Sequence, residues 1–421
     1  MACTLLLRRR PVAAAALTLA FLSACGAGPD DPGATVGGTV AEAPLPLGDA
    51  YDVPLDGVTP EQQQAFFEGD TLFDLALHEA DGLGPLYTRS SCGACHDRGT
   101  RGPGSVQKMV VVLPDGITPS PDQSKLPYGQ TVHPLCAAGA KTPIVPPDDP
   151  SVRVTLRVGP PILGRGYLEA VLDSEILRVE AEQAQRNDGI HGRANHVVYA
   201  SEPNPDPTFN AHQKGEVVIG RFGLKARIAT LDEFTADALQ GDMGITSPLR
   251  PTEIQNPDGL TDDLKPGIDV PASSVNQRAM YLRLTAIPRR ASLEGAGRDL
   301  FEKTRCGVCH APTLKTQPGY PVPELAGIDA PIFTDLLLHD MGGELSDGML
   351  DGDARSRDWR TAPLIALRFD KTYLHDGRAH TVEEAILLHD GKGSEAAGAI
   401  ARFRALSPAD REALLAFVGA L

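Results

Sequence analysis

The chain has 421 residues, of which 42% are apolar, so it is long enough for two or three domains with buried cores. Its formal net charge is −16. That balance excludes a nucleic-acid binder, which needs a basic stripe, and favours a partner with a basic docking face.

The first residues read as an address. Arg8, Arg9 and Arg10 precede an apolar run, Ala13 to Leu22, that is too short to span a bilayer. Leu22-Ser23-Ala24-Cys25 then has the form of a bacterial lipobox. The expectation is a lipoprotein signal peptide over 1–24, with Cys25 lipidated. A plain secretory signal, with Cys25 a spare thiol, is the alternative. Gly26 after that Cys, rather than Asp, fits an outer-membrane anchor and a periplasmic location. Residues 25–55, rich in Gly, Pro, Ala and Asp, read as a flexible tether. Nothing later reads as a transmembrane helix, so membrane contact is expected through the anchor only.

Thr59-Pro60-Glu61 reads as a helix start, and the helix runs through Phe66, Phe73 and Leu77 to Asp81-Gly82. A short loop, Gly84 to Ser90, delivers Cys92-Gly93-Ala94-Cys95-His96. Met109 to Leu113 and Val152 to Leu156 read as strands of a small inserted sheet. Tyr167 to Gln185 and Thr230 to Leu239 read as helices. Between them, 191–207 is polar and Pro-rich; His191, His196 and His212 read as ordinary loop histidines. Pro248 to Pro271 reads as a linker or long loop, whose Asp262-Asp263 permits one calcium ion without compelling it. Val275 to Leu284 is a helix, and another from Leu293 to Lys303 delivers Cys306-Gly307-Val308-Cys309-His310. Thr381 to Glu384 is a capping box opening a helix that stops at Gly391. Ser407-Pro408 opens the last helix, with Leu414, Phe417, Val418 and Leu421 on its apolar face.

Both pentapeptides are C-x-x-C-H, the attachment signature of c-type haem. Two thiols three positions apart reach the two vinyl groups of one porphyrin, and the following His swings onto the iron. Cys92, Cys95, Cys306 and Cys309 are therefore the expected thioether sites of two covalently bound haem c groups, with His96 and His310 as proximal ligands. Half a zinc site and a thioredoxin-like dithiol are the competing readings. Zinc needs further soft ligands, and only Cys136 remains beyond the N-terminal region; a thioredoxin motif needs a βαβ context that neither stretch has. Cys136 reads as a buried, inert thiol. The halves echo each other: Leu72-Phe73 and Leu300-Phe301 precede the motifs, and Arg157-Val158-Gly159-Pro160 and Arg360-Thr361-Ala362-Pro363 follow them. The expected fold is mainly α, with two cytochrome-c-like haem domains, 56–285 and 286–421, a small β insertion and long loops.

Further runs are Gly82-Leu83-Gly84-Pro85, Gly220-Arg221-Phe222-Gly223, Asp242-Met243-Gly244-Ile245-Thr246, Thr334 to Gly342, Asp358 to Pro363, and Leu374-His375-Asp376-Gly377-Arg378-Ala379. On these, from Gly69 to the C-terminus, the chain resembles the bacterial dihaem c-type oxidoreductases labelled "thiol oxidoreductase", distant relatives of the dihaem cytochrome c peroxidases and MauG-type enzymes. It departs from their pattern at Leu364-Ile365-Ala366, where they have Leu-Trp-Gly. It departs again at His389-Asp390-Gly391-Lys392, where they have His-Gly-Gly-Glu, so that Glu395 stands displaced.

The resemblance implies unequal irons, one six-coordinate and one open to hydrogen peroxide or another small oxidant, and a redox partner protein. It also implies an interdomain calcium. Met243 and Met341, both in Asp-Met-Gly, lead as sixth ligands, with His339, His375 and His389 as competing distal groups. His375 is the chosen distal polar residue, and Trp359, the only Trp, a relay between haems. Arg360 and Arg378 are expected to hold haem propionates. The functional expectation is a lipid-anchored periplasmic oxidoreductase with peroxidase-like or MauG-like chemistry at one haem. The alternatives are a dihaem electron carrier and an envelope redox partner in metal uptake.

Overall fold

The computed structural model describes residues 52–96, 99, 105–261, 265–290 and 294–421. The expected signal peptide, Cys25, most of the tether, Asp262-Asp263 and Ser292 lie outside the described residues. The last tether residues are pinned: Leu55 N donates to Leu284 O at 2.8 Å and its side chain is buried.

Helix α1 (Pro60–Asp74) starts as expected, with Thr59 and Gln62 exchanging capping bonds. It stops short of Asp81, because its last carbonyls are used elsewhere. Phe73 O accepts from Cys92 N at 3.2 Å and from Gly93 N at 3.3 Å, which seats the first motif on the helix end. Strand β1 (Leu86–Tyr87) pairs with β3 (Leu135–Cys136), leaving Cys136 half-buried rather than fully buried. The inserted ribbon is present and longer than expected, with β2 (Ser105–Val111) antiparallel to β4 (Val152–Val158).

The expected helix over 167–185 is two helices, α2 (Arg165–Ala170) and α3 (Asp173–Ala184). Arg221 breaks it. The buried guanidinium takes Glu169 O at 2.9 Å and Val171 O at 2.7 Å, carbonyls a continuous helix would have used, and pairs with Asp173. The stretch read as polar loop, 191–207, holds strand β5 (Asn195–Val198), which pairs with β6 (Val217–Gly220) beyond it. Helix α4 (Leu231–Met243) ends on Gly244 in the left-handed region. Helix α5 (Ala272–Leu284) packs on α1; a Cβ on Gly69 would lie 2.6 Å from Tyr281 Cβ, so the approach requires glycine.

Helix α6 (Ala296–Lys303) leads into the second motif. Two short ribbons follow, β7 (Leu314–Lys315) with β8 (Asp329–Ala330), and β9 (Leu338–Asp340) with β10 (Asp358–Arg360). Helix α7 (Val382–Leu387) has the expected capping box, α8 (Ala397–Arg404) was not foreseen, and α9 (Pro408–Ala420) closes over α6. The architecture is thus mixed rather than mainly α. Nine α-helices among the described residues are joined by long irregular runs, whose backbone groups are satisfied in two-stranded ribbons. No helix among them is long and apolar enough to cross a membrane.

The largest apolar cluster draws on both halves, from Leu55 to Ala366. Beside it lies a buried ionic knot. Arg283 Nε donates to Glu169 Oε2 at 2.6 Å, and its Nη2 reaches Glu169 Oε1 at 3.1 Å and Asp232 Oδ1 at 2.9 Å. Tyr320 OH and Leu231 N also donate to Glu169, each at 2.7 Å. Burial alone would raise the Glu169 pKa; the Arg283 charge and these bonds hold it below the usual range. Glu169→Ala leaves the guanidinium buried with one partner and is expected to cost about 3–5 kcal/mol of stability. Glu182→Ala, which removes an exposed pair with Arg178, is expected to cost less than about 1 kcal/mol. Urea unfolding of both variants checks the contrast.

Candidate functional site

Each C-x-x-C-H motif is one helical turn. Cys95 N and His96 N both donate to Cys92 O at 3.0 Å. Cys309 N and His310 N donate to Cys306 O, the latter at 2.9 Å. The shared turn sets both cysteines on one side, with the imidazole next in chain. None of the four sulfurs is in a disulfide. A carboxylate crowds the glycine after each first cysteine, Asp74 at Gly93 and Glu302 at Gly307.

The two imidazoles are neutral. Burial pulls both His96 and His310 down to about 4. His310 Nδ1 donates to Phe333 O at 3.2 Å, which fixes the tautomer and leaves Nε2 as a lone pair. The Pro160 carbonyl faces the His96 ring. Gly159 passes so close that a Cβ there would lie 2.9 Å from His96 Cε1.

The second motif opens on a cavity of about 260 Å³. Cys306, Cys309 and His310 form one side; Phe301, Ile365, Ile386 and Ile400 are among its apolar walls. Two buried guanidiniums reach it, Arg165 and Arg360. Among the described residues Arg165 donates only to Pro161 O, with Nη1 buried and without a hydrogen-bond partner. Arg360 donates to Gly223 O and Thr361 O, each at 3.0 Å. Burial draws Arg165 down to about 9 and Arg360 to about 10. An apolar cavity, two sulfurs, an imidazole and two buried cations fit a haem with its two propionates.

The expected site residues divide. Met341, Trp359, Arg360, His375 and His389 line this cavity. Arg378 does not; it lies at the surface, bonded to Asp376 Oδ2 at 2.6 Å. Met243 packs among Leu77, Leu83, Leu239 and Val270 in a separate core cluster. The echoed arginines take unlike parts, because Arg157 pairs with Asp347 at 2.6 Å and Asp351 at 3.2 Å. The segment it marked does carry a cavity residue, Arg165, which no local pattern distinguishes.

His339 is clamped. Nε2 meets Asp335 Oδ2 at 2.9 Å and Nδ1 meets Glu395 Oε2 at 2.8 Å. Burial opposes charge on the ring, but Cys309 and Asp335 hold its pKa well above the usual value. With both nitrogens taken it has no lone pair for a metal. The displaced Glu395 therefore does reach the cavity. Cys309, Asp335 and His339 hold ligand atoms within 4.8 Å of one another, yet two of the three are already bonded together. His389 contrasts: Nδ1 donates to Ala385 O at 2.6 Å, and Nε2 is left for the cavity. His375 stacks on Trp359, centroids 3.8 Å apart and planes at 15°.

Burial lowers the His375 pKa to about 4 against the opposing Asp376 and Asp347 charges. Because the shift is downward, the neutral ring persists until pH falls through about 4. Absorption of the haem-loaded protein is expected to stay flat from about pH 8 to 5, with an acid transition near 4. A transition near 6.5, the value of a free imidazole, would mean that this ring is solvated.

Residues 146–421 match the family described as "Di-haem oxidoreductase, putative peroxidase". The match takes in the second motif and every residue lining its cavity, and it begins after the first motif. No curated protein matches the chain. Among solved structures, hydrazine synthase from Kuenenia stuttgartiensis, pressurized with 20 bar xenon, is similar at a TM-score of 0.37 and 14% identity, over 93% of this chain and 100% of that one. The chain belongs to the di-haem oxidoreductase family.

Proposed function

We propose that the protein is a lipid-anchored periplasmic oxidoreductase carrying two covalently bound haem c groups, with peroxidase-like chemistry at one of them. The observation that carries this reading is the repeated C-x-x-C-H turn, which presents two thiols and a neutral imidazole in the same way twice. Haem held there supplies an iron that exchanges single electrons and, where a face is open, binds a small oxidant. Hydrogen peroxide takes up two electrons and two protons to give two waters. The electrons come from a partner protein, for which the acidic surface favours a basic docking face.

Haem bound at the second cavity would be held by Cys306, Cys309 and His310, and His389, whose Nδ1 is committed to Ala385 O, would offer its Nε2 as a second nitrogen, so that site would serve as the electron store. The oxidant is then met at the first motif. Arg165 and Arg360 take the propionates. Trp359 orients His375 by stacking. A dihaem electron carrier is the second reading, favoured by two imidazoles, His310 and His389, that line one cavity with Nδ1 bonded to backbone carbonyls, and spin state separates the two. A high-spin ferric component that reacts with peroxide supports the enzyme; two low-spin irons that turn over no donor support the carrier.

Mass measurement is expected to show two added haems, and one after Cys306→Ala with Cys309→Ala. His389→Ala is expected to convert the second iron from low to high spin, while Met341→Ala leaves it low-spin. A near-infrared methionine–iron band in the parent protein would reverse that assignment.

A further inference from the structure

Lys225 is a buried lysine with no exposed surface, in the turn after β6. Its ammonium sits in an oxygen cage. Nζ lies 2.9 Å from Arg355 O, 3.2 Å from Ser356 O, 2.9 Å from Asp358 O and 3.2 Å from Asp347 Oδ1. Four acceptors suit the three protons of an ammonium; a neutral amine would turn a lone pair onto one of them. Three of these oxygens are backbone carbonyls of 355–358, the run that leads into Trp359.

The same ammonium lies 4.2 Å from the Trp359 ring centroid. His375 stacks at 3.8 Å. Two groups that close to one ring must take opposite faces. Trp359 is thus held between a fixed cation and the imidazole that lines the cavity, and its Nε1 is tied to Leu345 O at 2.9 Å. The backbone around Lys225 is bound to the same loop: Asn195 Nδ2 donates to Lys225 O at 2.8 Å and to Asp351 O at 2.9 Å.

We propose that the four-oxygen pocket is a small-cation site whose resident cation is the tethered Lys225 ammonium, and that this cation is a positioning residue for the Trp359–His375 pair. It is a site for a compact monovalent cation: once the tether is removed, potassium, ammonium or methylammonium takes its place. The inference rests on the haem reading only for one arm of its test.

The chain has a single Trp, so its indole bands in ultraviolet resonance Raman report on Trp359 alone. In haem-loaded Lys225→Ala these bands are expected to shift, and the low-temperature EPR signal of the second iron to broaden. Methylammonium or potassium is expected to restore both, while choline, too large for the pocket, restores neither. Unchanged indole bands, or a shift that no small cation reverses, would overturn the proposal. Indole bands that respond as expected in a protein without haem would sustain it while sinking the haem reading. If Lys225→Ala does not fold, Lys225→Met keeps the reach and the packing without the charge. Its indole bands must shift and stay shifted in methylammonium; parent-like bands would count against the cation.

Discussion

Arg283 is the point to which both motif seats are referred. It belongs to α5, and α5 packs on α1, whose end carries the first motif. Its guanidinium fixes Glu169 in α2 and Asp232 in α4, and Glu169 in turn holds Tyr320 from beyond the second motif. Gly166 comes so near the Arg283 carbonyl that no side chain fits between them. A buried ion cluster is a poor source of net stability, since desolvation offsets the attraction. What it does here is fix register. Two carboxylates and one planar fork satisfy each other in few arrangements, so α2 cannot slide on α5 without stranding charge.

The start of α2 matters because the chain before it is a wall shared by the two sites. Gly159 lies against His96, while Pro160, Pro161 and Arg165 line the second cavity. Val158 N donates to His375 O at 2.8 Å, and Arg157 is locked to Asp347 and Asp351. One run of nine residues therefore touches the first imidazole, the second cavity and the loop that carries Trp359. One short run of chain thus meets both motif sites. A chain that fixed only one of the two sites would not need two prolines, two glycines and two arginines in one short stretch.

Local chemistry was legible in the sequence wherever one residue's requirement was local. The motif turns, the Thr59, Thr381 and Ser407 caps and the β2–β4 ribbon follow from neighbours a few positions away. The failures are long-range. The break between α2 and α3 is imposed by Arg221, some fifty positions on. The β5 and β6 strands are short, with Val198 and Val217 exposed, so their apolar alternation was thin. Arg165 was invisible because its distinguishing property is a buried Nη1 without a hydrogen-bond partner among the described residues, which only the assembled cavity reveals. Arg378, chosen by its motif, finds Asp376 two residues away and stays at the surface.

Three histidines of the second cavity show how the acceptor beside a ring decides its use. His310 and His389 each give one proton to a backbone carbonyl, of Phe333 and Ala385. A carbonyl is a weak enough acceptor that burial keeps the ring neutral, and the other nitrogen retains a lone pair. His339 instead meets Asp335 and Glu395, and two carboxylates keep a proton on each nitrogen. The same residue type in the same cavity is thus a donor of electrons in two places and a fixed cation in the third. Arg165 and Arg360 add to that cation, so an acidic protein brings two buried guanidiniums to one interior space. A dianionic macrocycle edge with two propionates is the kind of guest such a space selects. An uncharged or cationic guest would leave the buried Arg165 Nη1 without a partner.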